Sequence, residues 1–324
     1  MHLALTRVLF STDLHGSEMC FKKLVRAIKS NVYKANIVLM SGDVTGKAII
    51  PIVQDASGKH VAYSLGATGE QQVAKTPEEL ETLVKNLRTV GLYPVVLSEP
   101  EYENLQSHPE ELRKLFQEKM FEGLRGWISL ADRELSSTGV KFFMMPGNDD
   151  PLEVTSVIAE SKYLINPEDK YFPLDDHHEM ISLGYSNPTP WKTPRECSEE
   201  ELAKKIDEMA SQVRDMKNCI FNMHVPPFDS MIDTAPVLDG NLRPKATIGD
   251  LMRAPAGSKA VRTAMEKYQP LLGLHGHIHE SSGEIKIGKT LCINPGSEYH
   301  AGIMRAYLIN LDEKGLKSYL RVEG

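Results

Sequence analysis

The sequence predicts an α/β fold in which β-sheets are flanked by helices, with an inserted α+β segment. Three observations favour it: short apolar runs that end in polar turn residues, an amphipathic helix between the first two runs, and a β-rich final part after residue 270. The 324 residues comprise 37 Lys and Arg against 44 Asp and Glu, for a formal net charge of −7. This length is sufficient for a sizeable core.

The first three apolar runs are predicted to be strands. They span 5–12, 36–40 and 140–145, and each is β-branched or aromatic and apolar on both faces. Strands covered by helices on both sides have this composition. A helix over 17–30 separates the first two, because Phe21, Leu24, Val25 and Ile28 fall on one stripe. Strand, helix and strand in this order indicate a βαβ unit.

The stretch between the second and third runs is about 100 residues long, far more than a usual connection, so we expect it to hold structure of its own. A hairpin is predicted over 49–65. Thr76-Pro77-Glu78-Glu79 reads as a capping box that starts a helix, and 107–135 reads as one or two helices. We expect one domain, 1–324, that contains an insertion or cap over 48–110.

The remaining chain is predicted to add further strands and one capped helix. Strands are expected over 180–183 and 218–223, and Ser198-x-x-Glu201 starts the helix between them. Beyond residue 270, apolar runs alternate with glycine-containing turns, which favours antiparallel strands. These runs are 271–274, 284–287, 291–293, 303–311 and 316–322.

Side chains that can bind metals follow the predicted strands at the points where the strands end. They are Asp13 and His15 after the first run, Asp43 after the second, Asn148, Asp149 and Asp150 after the third, His224 after 218–223, and His277 and His279 after 271–274. Strand ends on one edge of a sheet converge, and α/β proteins build their sites there. Carboxylates, an amide and imidazoles together suit divalent first-row metals, namely Mn, Fe or Zn.

These motifs, in this order, resemble the calcineurin-like metallophosphoesterase family, whose pattern is D-x-H, G-D-x-x-G, G-N-H-D/E, a lone H and G-H-x-H. The matching residues are Asp13-Leu14-His15, Gly42-Asp43-Val44-Thr45-Gly46, Gly147-Asn148-Asp149-Asp150, His224 and Gly276-His277-Ile278-His279. The resemblance covers most of the chain apart from the insertion. It implies a sandwich of β-sheets flanked by helices.

The resemblance also implies two divalent ions and a phosphoesterase activity. The first ion would be held by Asp13, His15, Asp43 and His279, and the second by Asp43 as a bridge, Asn148, His224 and His277. Two ions roughly 3.5–4 Å apart grip phosphate oxygens and lower the pKa of a bridging water, whose hydroxide attacks phosphorus. Asp43, Asn148 and His224 are thereby implied in catalysis. A small-molecule phosphodiester is the expected substrate.

Asp149 departs from the family pattern, which has His at this position as the general acid for the leaving group. An unperturbed Asp has a pKa of about 3.9 and would be ionised at neutral pH. Three alternatives stay open: burial raises its pKa so that it acts as the acid, it turns away, or the leaving group needs no help. We therefore expect diesters, or esters of acidic alcohols, to be favoured over alkyl monoesters.

Some nearby residues have simpler interpretations. Asp150 precedes Pro151, which favours a helix N-cap. His275 is expected to be structural, and the pair His177-His178, in an acidic turn, to be solvated. Lys47 follows a glycine, but the spacing does not fit a phosphate-binding loop of the Walker A type.

Composition also limits the function classes. The acidic balance argues against a broad nucleic-acid or anionic-membrane surface, and the sequence lacks the run of about 18 apolar residues that a membrane helix needs. Cys20, Cys197, Cys219 and Cys292 form no C-x-x-C pair and indicate free thiols, so a cytoplasmic location is expected. Two alternative functions stay open, a non-catalytic metal-binding scaffold on the same fold and a nuclease of the same superfamily. The oligomeric state is also open, with a dimer as one alternative.

Overall fold

The computed structural model describes residues 5–63 and 71–324, which form alternating strands and helices. In chain order they are β1 (Thr6–Ser11), α1 (Glu18–Lys29), β2 (Ile37–Ser41), β3 (Ala48–Gln54), β4 (His60–Ala62), β5 (Gln72–Ala74), α2 (Pro77–Thr89), β6 (Leu92–Ser98), α3 (Glu99–Ser107), α4 (Pro109–Leu135), β7 (Lys141–Met145), α5 (Val154–Ile158), β8 (Lys170–Pro173), β9 (Glu179–Leu183), α6 (Glu199–Ala210), β10 (Cys219–Met223), β11 (Thr234–Pro236), β12 (Ala246–Thr247), β13 (Asp250–Leu251), β14 (Arg253–Pro255), α7 (Lys259–Tyr268), β15 (Leu272–Leu274), β16 (Gly283–Ile287), β17 (Thr290–Asn294), β18 (Arg305–Asp312) and β19 (Gly315–Glu323).

Two large sheets, of five and six strands, form the centre of the fold. The first has the order β19-β18-β1-β2-β7, with β1, β2 and β7 parallel and β18 antiparallel to β1. The second has the order β16-β17-β15-β10-β9-β8, with its four central strands parallel and an antiparallel strand at each edge. The predicted α/β fold of sheets flanked by helices is confirmed.

The core explains why the first strands are apolar on both faces. In β1, Val8 and Phe10 belong to an apolar cluster shared with Ile220 of the second sheet, so this face lies between the two sheets. Leu9, one residue on and therefore on the opposite face, packs in a cluster with Phe21 of α1 and Trp127 of α4. Helices α6 and α7 cover the outer face of the second sheet in the same way. The layers thus run helix, sheet, sheet, helix.

The expected antiparallel pairing of the final strands is wrong for β15 and β17. These two strands run parallel to each other and to β10, with Leu272 opposite Leu291. The β16–β17 and β18–β19 pairs are antiparallel, as predicted. The alternation of apolar runs and turns favoured antiparallel neighbours, whereas the chain adds β15, β16 and β17 to the second sheet and then returns to the first.

A third sheet of order β5-β4-β3-β6 lies within residues 48–98. The predicted hairpin over 49–65 corresponds to β3 and β4, which are antiparallel around the turn at 55–59, and Leu65 lies outside the described residues. Strand β6 was not predicted and pairs parallel with β3. This sheet and α2 share a small core of their own. The assignment of 48–110 as an insertion in a single domain stays a prediction.

Helix starts agree with the sequence at three sites. Ser17 caps α1, and Ser198 and Glu201 form the capping box of α6. At the start of α2, Thr76 accepts the backbone N–H of Glu79, but the predicted capping box is only half formed, because the Glu79 side chain accepts the backbone N–H of Lys75 instead of that of Thr76. The 107–135 region contains one 27-residue helix, α4.

His178 and the four cysteines also bear on predictions from the sequence. The prediction that His178 is solvated is wrong: it is 1% exposed and hydrogen-bonds to Asp175 and to the carbonyl of Asp312. The four cysteines are unpaired, as predicted. Within the residues that the structure describes, no helix is both long and apolar enough to cross a membrane.

Candidate metal centre

The predicted ligands lie just beyond the carboxyl ends of parallel strands in both sheets. Those of the first sheet are Asp13 and His15 after β1, Asp43 after β2 and Asn148 after β7, and those of the second are His224 after β10 and His277 and His279 after β15. The structure brings all seven into one place, at the edge where the two sheets meet.

One group consists of Asp13, His15, Asp43 and His279, each of which offers a ligand atom within 4.8 Å of the others. The Nε2 atoms of His15 and His279 are 3.0 Å apart. His279 Nε2 lies 3.4 Å from Asp13 Oδ1, and His15 Nε2 lies 3.5 Å from Asp43 Oδ2. All four side chains therefore point at one small space.

A second group contains Asp43, His224 and His277, again within 4.8 Å of one another. Asn148 completes it, because its Oδ1 lies 2.7 Å from His277 Nδ1 and 3.0 Å from His224 Nε2. His224 Nε2 is 3.4 Å from Asp43 Oδ1. Asp43 thus directs Oδ2 to the first group and Oδ1 to the second, which is the arrangement of a bridging carboxylate.

The charges of the site favour a cation. Burial lowers the pKa of His15 well below its usual value and that of His277 to about 4, so both rings offer free lone pairs. Burial opposes ionisation of Asp13, but interactions with His279 and His224 bring its pKa to about 2. Burial also disfavours a charge on His224, yet Asp43 and Asp13 raise its pKa to about 9. Buried carboxylates beside the neutral imidazoles of His15 and His277 fit Mn, Fe or Zn. At His224 an ion must displace a proton that the two carboxylates hold.

The backbone at the ligands is unusual in a way that supports a functional site. Asp13, His15, Asp43 and His277 have positive φ of 54°, 41°, 43° and 66°. A positive φ at a non-glycine residue costs roughly 1 kcal/mol of conformational free energy, and such strained residues are common at functional sites. Backbone hydrogen bonds hold it: His15 N–H donates to Asp43 O at 2.9 Å, and His277 N–H donates to the Asp13 carboxylate at 3.1 Å.

Two glycines of the motifs lie where the Cβ of any other residue would clash with a ligand side chain. Gly42 has φ of +97°, and a Cβ there would lie 1.8 Å from His224 Nδ1. A Cβ on Gly147 would lie 2.2 Å from Asp43 Oδ1. Only glycine lets the two loops approach the ligands this closely.

Asp150 is not the helix cap that its position before Pro151 suggested. The next helix, α5, begins only at Val154. Instead, the fully buried Asp150 carboxylate accepts hydrogen bonds from the backbone N–H groups of Val44, Thr45 and Gly147 at 2.8–2.9 Å. It therefore ties the loop after β2 to the loop after β7, which carry Asp43 and Asn148.

Asp149 makes contacts that the sequence did not indicate. Its Oδ2 is 2.8 Å from Lys47 Nζ, and its Oδ1 accepts from Asn148 Nδ2 at 3.1 Å. Burial and the Asp43 charge raise the pKa of Asp149, while Lys47 opposes this shift. Burial disfavours the Lys47 ammonium, but the charges of Asp149 and Asp43 raise its pKa above the usual value. Lys47 fits no phosphate-loop motif, and its position directly after Gly46 is the one signal in the sequence that places it near the site.

Further residues at the site lie in loops that no motif marks. Thr193 Oγ1 accepts from Asn148 Nδ2 at 2.9 Å, so both N–H groups of that amide have acceptors. The Tyr299 ring centroid is 4.7 Å from that of His15. His275, expected to be structural, faces the carbonyls of Met223 and Val225 and lies outside both ligand groups.

The sequence similarity of this chain to known proteins is partial. No protein-family model matches the sequence. Uncharacterized protein MJ1162 of Methanocaldococcus jannaschii is 31% identical over 153 residues, which are 47% of this chain and 62% of that protein. The match thus spans less than two thirds of this relative.

Two solved structures are similar along their full lengths. One crystal structure is matched over 99% of both chains with a TM-score of 0.56 and 16% identity. TT1561 of Thermus thermophilus is matched over 99% of both chains with a TM-score of 0.51 and 12% identity. At these identities the similarity concerns the fold alone.

Proposed function

We propose that the protein is a metal-dependent phosphoesterase of the calcineurin-like type that hydrolyses a small-molecule phosphodiester. The observation that carries this proposal is the position of Asp43, which directs one carboxylate oxygen to each of two groups of ligands. Five motifs in family order support it. A scaffold or a nuclease on the same fold is the alternative.

Two divalent ions of Mn, Fe or Zn would fit the two groups. The first would bind Asp13, His15, Asp43 and His279, and the second Asp43, Asn148, His224 and His277. When bound, such ions supply Lewis-acid stabilisation of phosphate oxygens and lower the pKa of a bound water.

The other residues of the site orient these ligands. The backbone N–H of Asp149 donates to Asp43 Oδ1 at 3.0 Å, and that of His277 donates to Asp13. Asp149 and Thr193 accept hydrogen bonds from the two N–H groups of the Asn148 amide. The amide oxygen, Oδ1, therefore faces the imidazoles of His224 and His277. Hydrogen bonds of this kind set the orientation of metal ligands and tune their basicity.

The contacts of Asp149 support a preference for diesters and for esters of acidic alcohols. Its carboxylate is held by Lys47 Nζ at 2.8 Å and by Asn148 Nδ2 at 3.1 Å, and while this ion pair persists it has no proton to give to a leaving group. Burial and the Asp43 charge act in the other direction and raise its pKa. Substrates whose alcohol leaves without a proton would then react fastest.

The test is a hydrolysis screen of protein reconstituted with Mn, Fe or Zn. We expect a bis-aryl phosphodiester to be hydrolysed faster than the corresponding monoester, activity to be lost on chelation, and Asp43→Ala and His224→Ala to be nearly inactive. His177→Ala, which removes an exposed imidazole, is the control.

Three outcomes would contradict the proposal. Activity that persists in both variants would exclude the metal mechanism. Metal binding without hydrolysis of any ester would favour the scaffold. Salt-sensitive binding and cleavage of DNA would favour the nuclease.

A further inference from the structure

A cavity of about 390 Å³ lies between helices α1 and α4 and strand β6. Its volume is within the range of small-molecule sites, roughly 300–1,000 Å³. Among the described residues that line it there is none of the seven proposed metal ligands, so the cavity is separate from the metal centre. Gly16, Val44 and Thr45 nevertheless form part of its wall, and they directly follow His15 and Asp43 in the chain.

Aromatic side chains give the cavity an apolar lining. Phe21 of α1 and Trp127 of α4 are buried and stacked, with their ring centroids 4.3 Å apart. Tyr93 of β6 also lines the cavity, and its hydroxyl accepts the Gly46 N–H at 2.8 Å, which fixes the ring. Such rings favour a second flat ring in offset or edge-to-face contact. The lining therefore suits an aromatic ligand.

Glycines of α4 keep this side of the cavity open. The α4 residues that line it recur every three or four positions from Lys119 to Arg133, so they form one face of the helix, with Gly126 at its middle. A Cβ on Gly123 would lie 3.1 Å from the Tyr93 ring, so packing explains that glycine.

Gly126 has no such explanation among the described residues. A Cβ there would meet nothing within 4 Å, and glycine in a helix interior is less stable than alanine or leucine. A ligand that occupies the cavity would account for the missing side chain.

The charges around the cavity favour an anion, although the chain as a whole carries −7. Four cationic side chains line it, namely Lys22, Arg88, Lys119 and Arg133. The two lysines pair with the glutamates Glu18 and Glu122, which also line the cavity. Arg88, in the last turn of α2, has no ion pair among the described residues. Its guanidinium is therefore available to an anionic group, which arginine can bind through two N–H donors at once.

We propose that this cavity binds a small aromatic anion, a molecule with a flat ring system and one carboxylate, sulfonate or phosphate group. The rings contact Phe21, Tyr93 and Trp127, and the anionic group pairs with Arg88. This site goes beyond the proposed phosphoesterase function and does not depend on it. The simpler alternative is a solvent-filled groove between two helices and a strand, which has no affinity for such a molecule beyond that of the remaining surface.

The experiment titrates the full chain with 8-anilinonaphthalene-1-sulfonate, a fluorescent aromatic anion, with metal and again in chelator. N-phenyl-1-naphthylamine, which has the same rings without the sulfonate, is the matched neutral probe. We expect the sulfonate to saturate one site per chain with the same affinity in both conditions. The neutral probe is expected to bind about tenfold more weakly or worse, because it lacks the charge-assisted hydrogen bond.

One pair of variants tests the cavity. Gly126→Leu places a side chain in it and is expected to weaken binding of the sulfonate about tenfold or more. Because leucine is the better helix former, the unfolding temperature should not fall. Ser129→Leu adds the same side chain to an exposed position of α4 that does not line the cavity, and its affinity should stay within about twofold of the wild type.

A second pair tests the charge. Arg88→Met is expected to weaken binding of the sulfonate about 10–100-fold and to leave binding of the neutral probe within about twofold. Lys85→Met removes an equal charge from an exposed position of α2 that does not line the cavity, and should leave both probes unaffected.

The proposal is overturned if the sulfonate does not saturate, if Gly126→Leu or Arg88→Met binds it as the wild type does, or if the two probes bind equally. Binding that disappears in chelator would assign the sulfonate to the metal centre and also overturns the proposal. If Gly126→Leu does not fold, Arg88→Met still decides. Ester hydrolysis is not measured in these titrations, so this proposal and the proposed function fail separately.

Discussion

A methyl group added at Gly42 tests whether the loop after β2 must approach His224 as closely as the structure shows. In Gly42→Ala the new Cβ would lie 1.8 Å from His224 Nδ1, about 1.6 Å closer than an ordinary contact. His224 is fully buried, so the ring has little space into which it can move. Either the ring or the end of β2 must shift.

The chain offers a matched control in Gly58, in the turn between β3 and β4. Gly58 has φ of +82°, close to the +97° of Gly42, but a Cβ there would meet nothing within 4 Å. Gly58→Ala therefore measures the backbone cost alone, roughly 1 kcal/mol. Gly42→Ala adds the cost of overpacking, typically 1–3 kcal/mol, so we expect a total loss of roughly 2–4 kcal/mol.

The assay is urea unfolding of both variants in chelator, followed by metal titration. Because His224 lies 3.0 Å from Asn148 and 3.4 Å from Asp43, its displacement should also abolish metal binding by the second group. Gly58→Ala should bind metal as the wild type does. The reasoning is refuted if the two variants have equal stability, or if Gly42→Ala keeps full metal content.

Two further predictions concern residues away from the ligands. Arg195 is buried against the Glu168 carboxylate at 2.6 Å, so Arg195→Met should lower the free energy of unfolding by about 3–5 kcal/mol, and adding Glu168→Gln should recover part of this in urea unfolding, since the unpaired buried charge is removed. Burial raises the pKa of Asp175, but hydrogen bonds from His178 and Thr6 outweigh burial and bring it well below its usual value. Its stabilising contribution is therefore complete above about pH 4 and is lost as the pH falls towards the folded-state pKa. The urea midpoint of Asp175→Asn should be below that of the wild type at pH 7 and approach it at pH 3, and a gap that widens in acid would contradict this.

The parts of the site that the sequence predicted share one property. Each ligand comes directly after an apolar run, so finding the strand also located the ligand, and parallel strands bring their ends together. Asp43 and His224 illustrate this, since they are far apart in sequence and 3.4 Å apart in space. The helices α1 and α6 were predictable because a serine cap and an apolar stripe coincide.

The parts that were missed depend on contacts between distant segments. Asp150 before Pro151 has the local pattern of a helix cap, and only the fold shows that its carboxylate binds the loop after β2 instead. Lys47 and Thr193 carry no motif of their own, and their relevance comes from Asp149 and Asn148. Strands β11 to β14 are two or three residues long and largely exposed, so they leave no apolar period to detect.

The pairing of β1 with β18 also has a consequence for biosynthesis. Thr6 lies opposite Leu311, so the first strand of the chain obtains its antiparallel neighbour only after some 300 further residues have been made. At about 5–20 residues per second, this takes roughly 15–60 s. During that interval a strand that is apolar on both faces has one unpaired edge, the kind of surface on which chains associate wrongly. Early packing of β1 against α1 and β2 would cover its faces in that interval, while its β18 edge stays open until the last hairpin closes the sheet.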